Sequence, residues 1–292
     1  MSHISEPPVE RVTIQAHQRW KEEGRPVVMT TAYDAVRARI ADPIVDIILL
    51  GDSVGNVCLG FDSTLLVNMA MMNHHLEAVA RTRPHALLVA DMPFLSFHLS
   101  IKETIRNAVG FLQRGAAAVK LEGGAKRIET VRALVDSEIP VMGHLALAPQ
   151  SVNIIGGCKV QGRKADDALR LLDDAHRLQE AGCFALVLEG IPAELAARTT
   201  DSLRIPTIGI GAGPSCSGQV LVFDGILGLT EGHRPKFVRA YAEGFRLLQE
   251  ALSRWAADVR GGAFPASQEC YPLPEGLGGV IENWAPSNPS LM

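Results

Sequence analysis

The sequence contains no paired-cysteine motif. Its five cysteines are an odd number, and none of them forms a C-x-x-C pair. A disulfide framework or a structural zinc site would need paired or clustered cysteines, so neither is expected. This cysteine usage is typical of a protein kept in a reducing compartment, and the sequence therefore predicts a cytoplasmic location.

The sequence also lacks a long apolar run and a marked excess of one charge. No run approaches the ~18 apolar residues that a membrane span needs, and the polar start of the chain has no signal-peptide core. The 28 basic and 32 acidic residues give a formal net charge of −4. We therefore expect neither a nucleic acid nor a membrane as a partner, which leaves small molecules.

Short apolar runs are present instead, and several of them end in a charged residue. Runs this short and this apolar are typical of buried parallel strands. Charged residues at the carboxyl ends of such strands lie where α/β barrels hold their active sites. The charged residues that end these runs are Asp52, Asp91, Lys120, Glu122 and Glu189.

Strand-like and helix-like segments alternate from residue 27 onward. Each unit of an eight-unit barrel occupies about 31 residues. The strand-end acids recur at intervals close to one or two such units. We therefore predict an α/β fold, a single-domain (β/α)8 TIM barrel, over residues 1–260. In the eighth unit, residues 219–223 suit either a strand or a short helix. Residues 261–292 are rich in glycine and proline and are predicted to form an irregular tail.

Three of the strand-end acids indicate a metal site. Asp52, Asp91 and Glu122 offer hard oxygen ligands on a rigid scaffold, which suits Mg²⁺ better than zinc. Any one of them is equally explained by a salt bridge or a helix cap. A purely structural role for all three is a less favoured interpretation.

Two other charged residues suit a substrate and a base. Lys120 and Glu122 are two residues apart on one strand, so their side chains face the same way. An ammonium group there would hold a substrate carboxylate, although an ion pair with Glu122 or a Schiff-base role is also conceivable. Glu189 lies across the predicted barrel, where a carboxylate suits a general base. Its alternatives are a further metal ligand or a buried ion pair.

A histidine and a glycine-rich segment allow weaker interpretations. His144 ends the fifth predicted strand, and a lone histidine there is more often structural than catalytic. The segment 209–213 reads G-x-G-x-G, but it lacks the acidic ribose partner of a dinucleotide site. It is equally explained by a tight loop at the barrel mouth that lines a pocket for a planar cosubstrate.

Local motifs along the chain are more specific than spacing alone. In the first half they are Thr30-Thr31-Ala32-Tyr33-Asp34, Leu50-Gly51-Asp52-Ser53, Asp91-Met92-Pro93-Phe94 and Val119-Lys120-Leu121-Glu122-Gly123. In the second half they are Gly143-His144-Leu145, Pro149-Gln150-Ser151-Val152-Asn153, Lys159-Val160-Gln161-Gly162, Leu186-Val187-Leu188-Glu189 and Ile208-Gly209-Ile210-Gly211-Ala212-Gly213. Over roughly residues 12–265 they resemble, in order, the motifs of the ketopantoate hydroxymethyltransferase family.

The resemblance implies a (β/α)8 barrel that transfers a hydroxymethyl group from 5,10-methylenetetrahydrofolate to 3-methyl-2-oxobutanoate. The product, 2-dehydropantoate, belongs to pantothenate biosynthesis, and the reaction passes through an enolate that Mg²⁺ stabilises. The resemblance also implies large homo-oligomers, commonly decamers. By the same resemblance, the roles of the site residues are metal binding for Asp52, Asp91 and Glu122, substrate binding for Asp52, Ser53, Asp91 and Lys120, and proton acceptance for Glu189.

The chain departs from the family pattern at some positions. Ala146 and Ala148 replace a usual glycine and threonine, and Asp224-Gly225 replaces a usual His-Asp pair. These changes concern the folate side, oligomer contacts or efficiency, because the proposed metal, substrate and base positions are intact.

Two other functions remain open at this stage. One is a barrel lyase of the phosphoenolpyruvate mutase and isocitrate lyase group, although the loop Gly123-Gly124-Ala125-Lys126 lacks the cysteine that many such lyases carry. The other is a catalytically silent barrel that acts as a binding or assembly protein. It would bind an oxo acid without turning it over.

Overall fold

A computed structural model of the chain describes residues 11–147, 150, 160–230, 232 and 234–284. Eight parallel strands close into a barrel in the order β1 to β8, with β8 paired to β1. The predicted (β/α)8 barrel is confirmed. The strands are Val27–Thr31, Ile47–Leu50, Leu87–Asp91, Ala118–Glu122, Val141–Ala146, Ala185–Glu189, Thr207–Ile210 and Gly218–Leu221.

Helices and short 3₁₀ turns connect the strands. The eighth unit contains both structures that its sequence suits, because strand β8 is followed directly by a short helix. The sequence predicts a long loop around Asn153 and Gly156-Gly157, and this segment lies outside the described residues. The helices are Ile14–Glu22, Ala35–Ala41, Val54–Val57, Met69–Ala80, Ile101–Gln113, Ile128–Asp136, Ala165–Glu180, Ala193–Ser202 and Phe223–Ile226, and the 3₁₀ turns are Thr64–Leu66 and Ala125–Arg127.

Side-chain oxygens begin several of these helices. Ser100 Oγ accepts a hydrogen bond from the Glu103 backbone N–H at 3.2 Å and so caps the helix Ile101–Gln113. Asn68 Oδ1 caps the helix after β2 in the same way, accepting from the backbone of Met71 at 3.1 Å. Such caps satisfy backbone donors that a helix start otherwise leaves free, and they fix where each helix packs on the barrel.

The hydrophobic core has two layers, because successive residues of a strand point to opposite faces. One layer fills the barrel and includes Met29, Leu49, Val89, Met142 and Val187. The other lies between the strands and the surrounding helices and includes Ile48, Leu50, Leu88, Leu121 and Leu186. A strand buried on both faces explains the unbroken apolar runs of the sequence.

The amino ends of the strands are covered by a helix that the sequence did not predict, Ile14–Glu22. Thr13 accepts a hydrogen bond from the Ala16 backbone N–H at 3.3 Å and caps this helix. Ala16 and Trp20 pack on the apolar interior of the barrel. The helix therefore contributes to the core at the end opposite the predicted active site.

The chain forms two compact units, Met1–Ala242 and Glu243–Met292. The first holds all eight strands. The second contains the helices Gly244–Gly261 and Gly278–Glu282, so part of the tail predicted as irregular is helical. The boundary predicted after residue 260 falls near the end of the longer helix. Among the described residues, no helix is both long and apolar enough to cross a bilayer.

Candidate active site

The strand register brings the charged residues of neighbouring strands to one end of the barrel. Asp91 pairs with Lys120, Glu122 with His144, and Ala146 with Glu189. Asp91, Glu122 and Glu189 are themselves the last residues of their strands rather than the first residues after them. The backbone that carries these side chains is therefore part of the sheet.

These side chains line one cavity of about 120 Å³. Its wall also contains apolar residues of the barrel, among them Met29, Leu49 and Val187. The structure therefore brings together every site residue that the sequence predicted. They are Asp52, Ser53, Asp91, Lys120, Glu122 and Glu189.

Lys120 lies next to the two aspartates. Its Nζ is 2.5 Å from Asp91 Oδ1, and both side chains are about 95% buried, with exposures of 5% and 4%. Asp91 Oδ2 accepts a hydrogen bond from the Asp52 backbone N–H at 3.3 Å. The ion pair therefore joins the ends of β3 and β4, and the hydrogen bond joins Asp91 to the residue that follows β2.

Gln150 bridges two of the carboxylates and is itself buried. Its Nε2 donates to Asp52 Oδ2 at 2.9 Å and to the Met92 carbonyl at 3.0 Å. Its backbone N–H donates to Glu122 Oε2 at 3.1 Å. Gln150 was part of a family-like motif, but no role for it was predicted from the sequence. Its contacts are long-range in sequence, so no local pattern points to them.

His144 lies between two carboxylates. Its Nδ1 is 3.4 Å from Glu122 Oε1, and its Nε2 is 3.2 Å from Glu189 Oε2. Burial lowers the pKa of His144, but the contacts with Glu122 and Glu189 outweigh it and raise the pKa to about 9. The histidine therefore connects Glu189 to Glu122, a link that the sequence does not predict.

The cavity has more negative than positive groups, and the pKa values reflect it. Burial, followed by the charges of Asp91 and Glu122, raises the pKa of Asp52 to about 8. Burial also raises the pKa of Asp91, although Lys120 opposes the shift. Burial lowers the pKa of Lys120, but the neighbouring carboxylates outweigh it and raise that pKa above its ordinary value. Lys120 is therefore a stable cation.

Glu122 differs from the two aspartates. Burial alone would raise the pKa of Glu122, but His144, Lys120 and the Gln150 N–H hold it below its ordinary range. The negative charge of Glu122 is therefore compensated by groups of the protein, whereas the charges of Asp52 and Asp91 are compensated mainly by Lys120.

A divalent cation fits this donor set on chemical grounds. Asp52 and Asp91 are buried carboxylates whose charges are under-compensated, and Mg²⁺ commonly takes one or two carboxylates with water and substrate. In the described part of the chain, no group of three or more His, Cys, Asp or Glu side chains is already arranged to hold a metal. Glu122 would have to exchange its contact with His144 or Gln150 to become a third ligand.

A second cavity, of about 200 Å³, adjoins the first. It shares Glu189, Ile210 and Val222 with the charged cavity and is otherwise largely apolar. Phe237 forms part of its wall and packs on Gly211, which has φ +61°. A Cβ at Gly211 would lie 2.7 Å from the Phe237 ring, so the glycine-rich segment is shaped by this contact.

The fold and the site together define an α/β-barrel protein with an acidic, lysine-containing pocket at the carboxyl ends of its strands. Solved structures share the fold at low identity. A phosphonopyruvate hydrolase has a TM-score of 0.58 and 15% identity, covering 92% of this chain and 93% of that one. An oxaloacetate acetylhydrolase in complex with the product oxalate has a TM-score of 0.58 and 14% identity, covering 93% of each.

Sequence comparison is more specific. The family model for ketopantoate hydroxymethyltransferase matches residues 11–267. A 3-methyl-2-oxobutanoate hydroxymethyltransferase 2 of Bradyrhizobium diazoefficiens is 80% identical over 99% of both chains. A 3-methyl-2-oxobutanoate hydroxymethyltransferase of Methylobacterium sp. is 64% identical over 97% of this chain and 100% of the relative. The chain belongs to the ketopantoate hydroxymethyltransferase family and is a transferase, which confirms the resemblance seen in its motifs.

Proposed function

We propose that this enzyme transfers a hydroxymethyl group from 5,10-methylenetetrahydrofolate to 3-methyl-2-oxobutanoate, producing 2-dehydropantoate for pantothenate biosynthesis. One observation carries the proposal together with family membership. A single cavity holds Lys120 and two under-compensated aspartates on one side and Glu189 on the other. This arrangement suits a small anionic oxo acid whose proton is removed at a carbon facing Glu189.

Lys120, Ser53 and the two aspartates form the proposed binding site for the oxo acid. Lys120 is a stable buried cation, so it can attract the substrate carboxylate without a change of protonation. The Ser53 side chain reaches the same cavity and supplies a neutral hydrogen-bonding group. Apolar side chains of the barrel interior, among them Met29, Leu49 and Val187, complete the wall and suit the branched alkyl end of the substrate.

Mg²⁺ is the proposed cofactor, with Asp52, Asp91 and Glu122 as the residues that would hold it. The ion would polarise the keto group of the oxo acid and so make the neighbouring C–H bond more acidic. The charge surplus described above supports this choice. The protein itself contributes the positions of the two aspartates, Asp91 at the end of β3 and Asp52 two residues after the end of β2.

Glu189 is the proposed base. Its carboxylate accepts the proton from C3 of the oxo acid, and the electron pair of that C–H bond becomes the carbon nucleophile. C3 then bonds to the one-carbon unit, whose two bonds to the folate nitrogens break. Water supplies the hydroxyl group, and the two nitrogens take up the proton lost from C3 and the remaining proton of the water. His144 Nε2, 3.2 Å from Glu189, holds the carboxylate in place.

The adjoining apolar cavity is the proposed place of the folate. It shares the Glu189 side chain with the charged cavity, so a ligand there would lie beside the carbon that loses its proton. Its apolar wall, including Phe237, suits a planar ring system. Proximity of the two ligands would make the carbon–carbon bond formation effectively intramolecular.

The test is exchange of the C3 hydrogen of 3-methyl-2-oxobutanoate in D₂O, followed by NMR with Mg²⁺ and without folate. We expect the wild type to exchange this hydrogen, and chelation of Mg²⁺ to stop the exchange. Glu189→Gln should slow exchange by about 100-fold or more, a typical contribution of a general base. The exposed Glu129→Gln is the matched control. Absence of both exchange and folate-dependent turnover in the folded wild type would contradict the proposal.

The barrel lyase and the silent barrel are the remaining alternatives. Likeness to phosphonopyruvate hydrolase and related structures shows a shared fold only. A lyase would cleave a substituted oxo acid without folate, and a silent barrel would bind the oxo acid without exchange. Adding methylenetetrahydrofolate to the exchange reaction separates both from the hydroxymethyltransferase.

A further inference from the structure

Tyr33 is a fully buried tyrosine at the edge of the charged cavity. It follows strand β1, and its hydroxyl lies 2.8 Å from Ser53 Oγ. Ser53 lines the cavity, whereas Tyr33 does not. A buried hydroxyl needs a hydrogen-bond partner, and here that partner is a residue of the proposed substrate site.

The Thr31 side chain also interacts with the Tyr33 hydroxyl, where it opposes the rise of the tyrosine pKa, and unlike Tyr33 it lines the charged cavity itself. Thr31 Oγ1 in turn accepts a hydrogen bond from the Phe223 backbone N–H at 3.1 Å. Phe223 begins the short helix after β8, so this contact crosses the closure of the barrel. Four groups therefore form one chain of contacts from the eighth unit to the substrate cavity: Phe223 N–H, Thr31, Tyr33 and Ser53.

The carboxylate of the oxo acid determines the direction of the Tyr33–Ser53 hydrogen bond. In the protein alone, either hydroxyl could be the donor. A carboxylate can only accept, so a Ser53 hydroxyl that binds it uses its single hydrogen there. Tyr33 must then donate to Ser53 Oγ, and burial raises the pKa of Tyr33, so the hydroxyl keeps the proton that it donates.

Local packing holds Tyr33 and Ser53 in place. The Tyr33 carbonyl is 2.7 Å from His75 Nδ1, which ties the loop after β1 to the helix after β2. A Cβ at Gly51 would lie 2.7 Å from Ser53 Oγ, so only glycine leaves the serine hydroxyl this position. Gly51 therefore leaves room for the Ser53 hydroxyl, and the hydrogen bond with Tyr33 orients it.

We propose that Thr31 and Tyr33 are positioning residues that orient the Ser53 hydroxyl as a hydrogen-bond donor to the carboxylate of the bound oxo acid. The inference rests on the proposed function, because it takes the oxo acid as the ligand of this cavity. An unconstrained serine can donate or accept, whereas an oriented donor favours an anionic ligand. Buried hydrogen bonds in series also strengthen one another.

The experiment measures binding of 3-methyl-2-oxobutanoate by calorimetry in Mg²⁺, together with KM and kcat. Tyr33→Phe removes only the hydroxyl, and we expect Kd and KM for the oxo acid to rise about 5- to 10-fold while kcat changes less than about 2-fold. The same substitution in a Ser53→Ala background should change Kd by less than about 2-fold, because its effect acts through that serine. A purely structural role of Tyr33 would weaken binding equally in both backgrounds.

Thr31→Val, made in the wild type and in the Ser53→Ala background, is a second test that does not need Tyr33→Phe to fold. Thr31 lines the cavity, so a direct contact with the oxo acid would weaken binding equally in both backgrounds, whereas action through Tyr33 and Ser53 would weaken it only in the wild type. Thr31→Ser keeps the hydroxyl and should bind like the wild type. No effect of Tyr33→Phe, equal effects of Tyr33→Phe in both backgrounds or, where that variant does not fold, equal effects of Thr31→Val in both backgrounds would overturn the proposal.

The outcome also separates this inference from the proposed function. A wild type that binds the oxo acid but neither exchanges its C3 hydrogen nor turns over contradicts the proposed function, while the coupling of Tyr33 to Ser53 is still measured by binding. If the wild type is active but the effect of Tyr33→Phe does not depend on Ser53, only the positioning role of Thr31 and Tyr33 is contradicted. A wild type that does not bind the oxo acid at all overturns both.

Discussion

The two ends of the barrel each hold a lysine, and the two lysines have different surroundings. At the carboxyl end, Lys120 is buried beside Asp91 in a cavity with more negative than positive groups. At the amino end, Lys21 Nζ donates to three backbone carbonyls, those of Thr200, Leu203 and Ile205, at 2.8–2.9 Å. The first lysine is placed in a cluster that a ligand can still complete, and the second has all three of its donors occupied.

This difference separates function from stability within one scaffold. Under-compensated charge is costly in a folded protein, so its presence at the carboxyl end is best explained by binding and catalysis. Saturated hydrogen bonds at the amino end instead secure the helix Ile14–Glu22 to the barrel. Substitutions at the two ends should therefore have opposite profiles, with activity lost at one and stability lost at the other.

The largest expected effect is that of Asp52→Asn. Asparagine keeps the shape and can still accept the Gln150 hydrogen bond, but it removes a negative charge from the proposed metal site. We expect kcat/KM to fall by about 100-fold or more, as for other charged groups of an active site. The free energy of unfolding without Mg²⁺ should not decrease, because burial disfavours the charged form of Asp52 in the folded state. Denaturant unfolding and turnover of one preparation measure both.

The comparison between the two ends would fail if Asp52→Asn lost stability and kept activity. The exposed Asp136→Asn, at the end of the helix after β4, is the matched control for the chemical change. Its activity and its unfolding free energy should both stay close to those of the wild type.

The sequence predicted the carboxyl end of the barrel far better than the amino end. Asp91, Glu122 and Glu189 each end a short apolar run, and this local pattern alone identifies them as strand ends. A parallel barrel places all such ends together, so their common location could be predicted. The helix Ile14–Glu22 has a capping threonine but few apolar residues, so its helical period is weak. Its packing depends on Trp20, one residue whose contacts lie far along the chain.

Within the site, the residue set was predicted but the connections were not. His144 and Gln150 each contact two groups from different strands or loops, and no spacing along the chain encodes those contacts. Asp224, one of the departures from the family pattern, also makes contacts that no spacing along the chain encodes. Its carboxylate accepts two hydrogen bonds from Arg37, at 2.8 and 3.2 Å, which join the first and eighth units. Only the closed barrel brings those two residues together.

A second prediction concerns His17, which lies in the helix at the amino end. Neither ring nitrogen has a hydrogen-bond partner among the described residues, and the residue is 1% exposed with its ring edge-on to Trp20. Burial lowers the pKa of His17 to about 4. The charge of Asp46 opposes this shift, and the charge of Arg25 adds to it. The unfolded chain therefore takes up this proton near its ordinary pKa of 6.5, and the folded chain only near 4.

The sign follows from proton uptake. Between about pH 6.5 and 4 the unfolded state binds more protons, so His17 lowers the unfolding free energy as the pH falls, by about 3 kcal/mol in total. His17→Gln should remove this part of the pH dependence, which is absent above the unfolded pKa. Urea unfolding of both proteins at pH 7, 5.5 and 4.5 measures it. Parallel pH profiles for the two proteins would show that the folded His17 titrates normally.

The smallest expected effect is that of Lys21→Met, and it tests the amino end directly. The substitution keeps most of the apolar stem but leaves three carbonyls without their donor, and because Lys21 is only half-buried, water replaces part of the loss. We expect the free energy of unfolding to fall by about 2 kcal/mol, at the lower end for hydrogen bonds to a charged group. Activity per folded molecule should stay at the wild-type level, since the substitution lies at the opposite end from the cavity. Lys21→Arg keeps the charge and some donors and should lose less. If Lys21→Met instead lowered kcat with stability unchanged, the two ends would be coupled through the barrel, and the separation of stability from function would have to be abandoned.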